Sequence, residues 1–287
     1  MSCRALLRPS LLAAAAIAAA MSAPPDRVTA QEQNPGYTDT PMLPGQKWRV
    51  HDANRPRPPA VKPEPSKTLG MKPPAGATVI FDGASTDNLV TEWKVENGYM
   101  EVAKKGGCRT KEALGDMFLH LEFATPKEVK GSSQGRGNSG VIVMGRYEIQ
   151  VLDSYENPTY ADGQCAAIYG QFPPRVNASL PPGEWQTYDI CFQAPRWQGQ
   201  ELVSPAVSTV VHNGVLVHDK QVHIGQVQHR KVGTYGNPHP EKLPLELQNH
   251  GNPMRFRNIW WRPLKDDEKL DAKEAMKRLE ATLKGEK

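Results

Sequence analysis

Gly135–Tyr155 reads GRGNSGVIVMGRYEIQVLDSY, and this stretch decides the fold class. A glycine-rich loop, Gly131-Ser-Ser-Gln-Gly-Arg-Gly137, opens into two β-branched runs, Val141–Met144 and Tyr147–Leu152, separated by Gly145-Arg146. Short apolar runs bounded by Gly, Asp and Ser are strand signals, and two in close succession predict adjacent strands. In the second run the strand period of two puts Tyr147, Ile149 and Val151 on one face and Glu148, Gln150 and Leu152 on the other. The first set belongs in a core. A carboxylate beside an amide on the second face is either the solvated side of an antiparallel sheet or part of a ligand site.

The surrounding sequence extends the β pattern. Thr78–Asp82, Trp93–Val102 with its Asn97-Gly98 turn, Phe118–Phe123, Trp185–Phe192, Val207–His218 with Asn213-Gly214, Leu243–Leu247 and Met254–Trp261 all read as strands. No βαβ spacing intervenes. The expectation is an all-β sandwich of two antiparallel sheets. Residues 31–76 are rich in proline, which predicts an extended arm, with Arg55–Pro65 a linker. Residues 77–264 form the β domain. Residues 265–287 form a helical tail that sets Leu270, Ala275, Met276, Leu279 and Leu283 on one side.

The chain of 287 residues carries a formal charge of +4. Residues 1–30 hold Arg4, Arg8 and Arg27 against Asp26, so the remainder carries about +2. That weak balance, with no basic stripe, excludes a nucleic-acid partner. Arg4 and Arg8 precede the apolar run Leu11–Ala20, too short to span a bilayer, and Val28-Thr-Ala30 fits a cleavage site. Residues 1–30 therefore read as a signal peptide. The mature chain, starting near Gln31, is expected to be periplasmic or extracellular with no membrane span. Cys108, Cys165 and Cys191 would remain, an odd number that defines no disulfide framework, and Cys191 reads as a small buried hydrophobe.

Leu245–His250 repeats the pattern of the opening stretch: Leu245, Leu247 and Asn249 share one parity, Glu246, Gln248 and His250 the other. Two strands distant in sequence thus bring a Glu–Gln pair each to one face, and the second adds a histidine. Amides and imidazole hydrogen-bond hydroxyls while a carboxylate moves protons. His218, His223, His229 and His239 are scattered without ligand-like spacing, and no cysteine spacing indicates a metal. The glycine-rich loop is not followed by a helix, so it is no phosphate cradle.

Several motifs in order resemble one family: Phe81-Asp-Gly83, Gly137-Asn-Ser-Gly-Val141, Gly145–Ser154, Ala167-Ile-Tyr-Gly-Gln171, Pro182–Ile190, His212-Asn-Gly214 and Leu247-Gln-Asn-His-Gly251 leading to Phe256–Trp260. Together they resemble the 3-keto-disaccharide hydrolase domain family, over about Thr78 to Leu264. The resemblance implies a concanavalin A-like (glucanase-like) jelly roll with the ligand on a curved sheet, and a carbohydrate substrate already oxidised to a ketone at C3. Such a ketone acidifies the C2 proton, so one base suffices where an ordinary glycosidase needs two carboxylates. By position, Glu148 and His250 are the expected catalytic pair. Arg146, Gln150, Gln248 and Asn138 are expected to bind substrate, with Tyr169 and Gln171 lining the trough from a long loop. A divalent cation could stabilise the enolate, though no spacing calls for one. The other reading is a non-catalytic carbohydrate-binding module, which would lean on exposed tryptophans. Taken as a surface change, Glu148→Gln is expected to alter stability by less than about 1 kcal/mol.

Overall fold

A computed structural model describes residues 35–103 and 105–286; the signal-peptide reading of residues 1–30 lies outside them. Among the described residues fifteen strands, numbered in chain order, build two antiparallel sheets and a separate hairpin. The smaller sheet runs β2 (Leu89–Thr91), β5 (Cys108–Leu114), β14 (Leu243–Leu247), β7 (Asn138–Val143), β8 (Tyr147–Leu152). The larger runs β13 (Val215–Val222), β12 (Val207–His212), β9 (Trp185–Gln193), β6 (Met117–Ala124), β15 (Arg255–Pro263), β4 (Tyr99–Glu101), β3 (Lys94–Glu96). A further strand, β1 (Thr78–Phe81), also pairs with β15. The hairpin is β10 (Arg196–Gln198) with β11 (Glu201–Ser204). The two-sheet sandwich expected from the strand pattern is present, and with it the jelly roll that the resemblance implies.

Alternation sets the layers. Tyr147, Ile149 and Val151 of β8, Val141 and Val143 of β7, and Leu245 and Leu247 of β14 meet Leu119, Leu121 and Phe123 of β6 and Tyr188, Ile190 and Phe192 of β9 in one buried core. Removing this apolar surface from water is the main stabilising term. The Asn-Gly turns form as expected: Asn97 and Gly98 join β3 to β4, and Asn213 and Gly214 join β12 to β13, every one with positive φ, which matches strand twist. The tail helix, α1 (Ala272–Lys284), starts later than its apolar pattern because the Asp271 carboxylate caps the amides of Lys273 and Glu274 at 2.9 and 3.2 Å. Ala275 and Leu279 are buried, whereas Leu283 is exposed. No helix among the described residues is long and apolar enough to cross a membrane.

The proline-rich arm packs along the domain. Leu43 and Val50 bury against Ile224, and Arg230 pairs with Asp39 at 3.0 Å while lying over the Tyr37 ring. Arg55–Pro65 is docked as well: Ala60 bridges Asn177, and the Val61 amide donates to the Asn177 carbonyl at 2.9 Å. Proline removes donors without preventing the remaining amides from pairing at a sheet margin. Further on, Ser66–Met71 crosses the outer face of the larger sheet. There His120 Nδ1 meets Asp189 at 2.7 Å, Thr68 donates to Asp189 at 2.8 Å and the Gly70 amide donates to Glu122 at 2.6 Å. Asn258 and Arg257 donate to the same Glu122 carboxylate at 2.8 and 2.7 Å. This buried polar cluster is satisfied only because the arm closes over it.

Candidate active site

On the smaller sheet, the face turned away from the core carries a cavity of about 420 Å³. Its floor is Asn138 and Ile142 of β7 with Glu148 and Gln150 of β8, and Gln248 and His250 enter from the segment after β14. That segment is held by the Gln248 amide donating to the Gly140 carbonyl at 2.9 Å, and by the Ser139 hydroxyl donating to the Gln248 carbonyl at 2.7 Å. Glu148, His250, Gln150, Gln248, Asn138 and Tyr169 therefore converge, as the shared parity of two distant strands predicts.

Glu148 reaches this cavity because β8 alternates, and because Gly140 lies beside it on β7. A Cβ at Gly140 would collide with the Glu148 carboxylate. The carboxyl is only 6% exposed, and among the described residues its side chain makes no hydrogen bond or ion pair. Burial alone pushes its pKa from 4.5 up to about 8. The face is thus not a solvated sheet surface. It holds a desolvated carboxyl poised to exchange a proton near neutral pH.

The amides are oriented in sequence. Gln134 donates to the Gly163 carbonyl at 2.9 Å and the Thr159 hydroxyl at 2.8 Å, which leaves its oxygen to accept from Gln150 at 2.9 Å. The Gln150 oxygen then has no donor, although it is buried in the cavity wall. A buried acceptor without a donor suits a ligand hydroxyl. Asn138 is fixed by donating to the Gln134 carbonyl at 2.8 Å. The glycine-rich loop that carries Gln134 is braced by Arg136 on Asp153, 2.8 Å from Nε, and by Asn157, which bonds both ways with the Ser133 backbone.

An aromatic wall closes the side beyond β8. Tyr37 comes from the arm, Tyr160 and Tyr169 from the long loop before β9, and Val227 and His229 from the loop after β13. Tyr160 and Tyr169 share a hydrogen bond of 2.9 Å, and Tyr169 meets His229 Nδ1 at 3.1 Å. Burial, followed by the neighbouring His51, Arg230 and His250, lowers the His229 pKa, so this imidazole is neutral at neutral pH. Behind the wall His51 stacks within 4.3 Å of Tyr160 and pairs through Nδ1 with Asp162 at 3.2 Å.

Sequence reasoning missed Tyr37, Gln134, Tyr160 and His229. The length of the 157–180 loop is the one signal that pointed toward Tyr160, since long loops in compact domains are usually functional. Two expected ligand residues stand elsewhere. Arg146 shares the parity of Glu148 but lies at the strand start beside Gly145, and it turns away to donate to Gln226 at 2.8 Å. Gln171 is buried outside the cavity. It accepts from the Ile224 amide at 2.7 Å and donates to the Gly225 carbonyl at 3.0 Å, which positions the loop leading to His229. Among the described residues no group of three or more His, Cys, Asp or Glu side chains is arranged to hold a metal ion.

Comparison with known proteins places this geometry. No curated protein matches the chain. A crystal structure from Parabacteroides distasonis ATCC 8503, provisionally named a glycosyl hydrolase, is 36% identical with a TM-score of 0.65 and covers 78% of this chain and 100% of its own. A second from the same organism, named likewise, is 22% identical with a TM-score of 0.50, covering 66% of this chain and 99% of its own, and shows the fold alone. The model of the 3-keto-alpha-glucoside-1,2-lyase-like domain matches residues 76–262, which contain every floor residue of the cavity. The chain belongs to that family of glycosyl hydrolase-like domains.

Proposed function

We propose that the protein is an exported enzyme that cleaves 3-keto-glycosides by elimination across C1 and C2. The observation that carries this reading is the partnerless, desolvated carboxyl of Glu148, a single base with its pKa near 8 inside a sugar-sized cavity. Glu148 takes the C2 proton, and the electrons pass into the C3 carbonyl as an enolate. The enolate then expels the C1 oxygen, forming a C1–C2 double bond conjugated with the ketone. The departing oxygen needs a proton, and His250 is placed to give it. Water adding at C1 completes net hydrolysis. The Gln248 side chain makes no hydrogen bond among the described residues, so its amide is available to the ketone oxygen, and the unpaired Gln150 oxygen accepts a hydroxyl.

The carbohydrate-binding alternative draws no support from the aromatics: Trp185, Trp197, Trp260 and Trp261 do not line the cavity, and the last two are buried. The test is incubation with a 3-keto-glucoside and with its unoxidised parent, each with and without a chelator. Release from the keto sugar alone supports elimination, whereas equal release from both sinks it. Export is tested by sequencing the N-terminus of protein secreted from a bacterial host, which should begin near Gln31.

A further inference from the structure

A second cavity, about 880 Å³, lies on the same face of the smaller sheet, bounded by Glu92, Lys105, Arg109, Glu246 and the segment 247–251. Ile142 and Gln248 line both cavities, so the two adjoin. Strand register shows how they align. Val90 pairs with Arg109, Arg109 with Glu246, Glu246 with Ile142, and Ile142 with Glu148. Directly opposed residues share a face, so one rung of side chains crosses all five strands with Glu148 at its end.

The second cavity is a built feature. Its rim loop is held by Asn249, which donates to the Ala103 and Gly106 carbonyls at 2.8 and 2.7 Å, and by Trp93 Nε1, which donates to Gly106 at 3.1 Å. The Arg109 and Glu246 side chains, by contrast, make no hydrogen bond or ion pair among the described residues, though their strands pair them directly. A guanidinium and a carboxylate side by side offer donors and acceptors for vicinal hydroxyls, with Ile142 as an apolar floor for the C–H face of a ring. Among the described residues that line it, two cations, Lys105 and Arg109, balance two anions, Glu92 and Glu246. The balance favours a neutral sugar over a uronate.

We infer that this cavity is a leaving-group subsite for a neutral oligosaccharide, which makes the substrate a chain of three or more units oxidised at its terminal ring. The inference rests on the proposed chemistry at Glu148. The wall of Tyr37, Tyr160 and Tyr169 closes the catalytic cavity on one side. A chain directed away from that wall runs along the rung toward β14 and β5, through the C1 oxygen. Glu246 lies two strands from Glu148 and Arg109 three, roughly 10 and 14 Å at ordinary strand spacing. The first leaving unit reaches Glu246. Only the next one reaches Arg109.

The test compares KM for an aryl 3-keto-glucoside, a 3-keto-disaccharide and a 3-keto-trisaccharide, with the wild type, Glu246→Gln and Arg109→Ala. KM should fall with chain length in the wild type. Arg109→Ala should raise the trisaccharide-to-aryl KM ratio about tenfold with the disaccharide ratio little moved, and Glu246→Gln should raise both. KM independent of length, or a length gain that survives Arg109→Ala, overturns the subsite. If no keto substrate turns over, the chemistry at Glu148 fails, and calorimetric titration with unoxidised α-linked gluco-oligosaccharides of two to four units decides the subsite by itself. Affinity that grows with length and is lost in Arg109→Ala sustains it; affinity flat with length, or no binding, overturns it.

Discussion

Replacing Glu148 with Gln should stabilise the protein, and by an amount that depends on pH. The unfolded chain ionises this carboxyl near 4.5, whereas the folded protein holds the proton up to about 8. Between those values the unfolded state binds fewer protons than the native state, so the wild type loses stability as pH rises through the window and loses no more above it. A gap of about 3.5 at 1.36 kcal/mol for each pKa unit sets a ceiling of roughly 5 kcal/mol, of which about 1 is spent by pH 5 and about 3 by pH 7. The amide is nearly isosteric and carries no such penalty. Urea unfolding of both proteins at about pH 5, 7 and 9 should show the variant ahead by a margin that widens by about 2 kcal/mol from the first to the second. The same variant should be inactive. A margin that stays flat across pH would mean the carboxyl is hydrated after all, and Glu148 would lose the property that makes it a base. The sequence-based expectation of a change under about 1 kcal/mol took Glu148 for a surface residue, whereas Tyr37 of the arm and the loops carrying Tyr160, Tyr169 and His229 leave it only 6% exposed.

Other outcomes follow from the same geometry. Gly140→Ala should displace the Glu148 carboxylate and lower kcat/KM by about a hundredfold, with the fold intact by circular dichroism. Tyr37→Ala should admit water beside Glu148 and move the acidic limb of the kcat/KM profile, where the base gains its proton, to lower pH; an unmoved limb would show that the arm does not desolvate the base. Burial works against a charged His120, but hydrogen bonds to Asp189 and Glu122 outweigh it and raise its pKa, while Glu122, opposed likewise by burial, is held down to about 2 by His120, Asn258, Arg257 and the Gly70 amide. The His120 contribution is therefore complete below about pH 6.5 and fades as pH rises through its elevated folded value; that of Glu122 is complete above about pH 4.5 and fades toward pH 2. Asp189→Asn should cost about 3 kcal/mol in denaturant unfolding, since it leaves a buried imidazolium without its closest counter-charge.

The fold and half the site were legible because a strand has a period of two. Once Tyr147–Leu152 and Leu245–His250 are read as strand-like, parity alone sends Glu148, Gln150, Gln248 and His250 to one side. Strands β2 and β5 were not legible. In β5, the exposed Arg109, Lys111 and Glu112 break up the apolar signal that marks a strand, and Arg109 lines a polar cavity. Arg146 obeys parity and still misses the site, since a residue at a strand end has room to swing toward a neighbouring loop. Tyr37 and His229 could not be read at all: each arrives on a segment without periodicity, placed by contacts such as Arg230 with Asp39 that only the folded chain brings together.

The arm touches both outer faces of the sandwich, with Tyr37 in the catalytic wall and Thr68 and Gly70 over the His120 cluster. Its partners include Asn258 on β15, whose amide donates to the Met71 carbonyl at 2.9 Å. The arm, which precedes every described strand, thus waits for the last of them, β15, before it can seat. Catalytic competence is then a late event in assembly, and a chain shorn of its first seventy or so residues could still pack its two sheets while leaving its base awash in solvent.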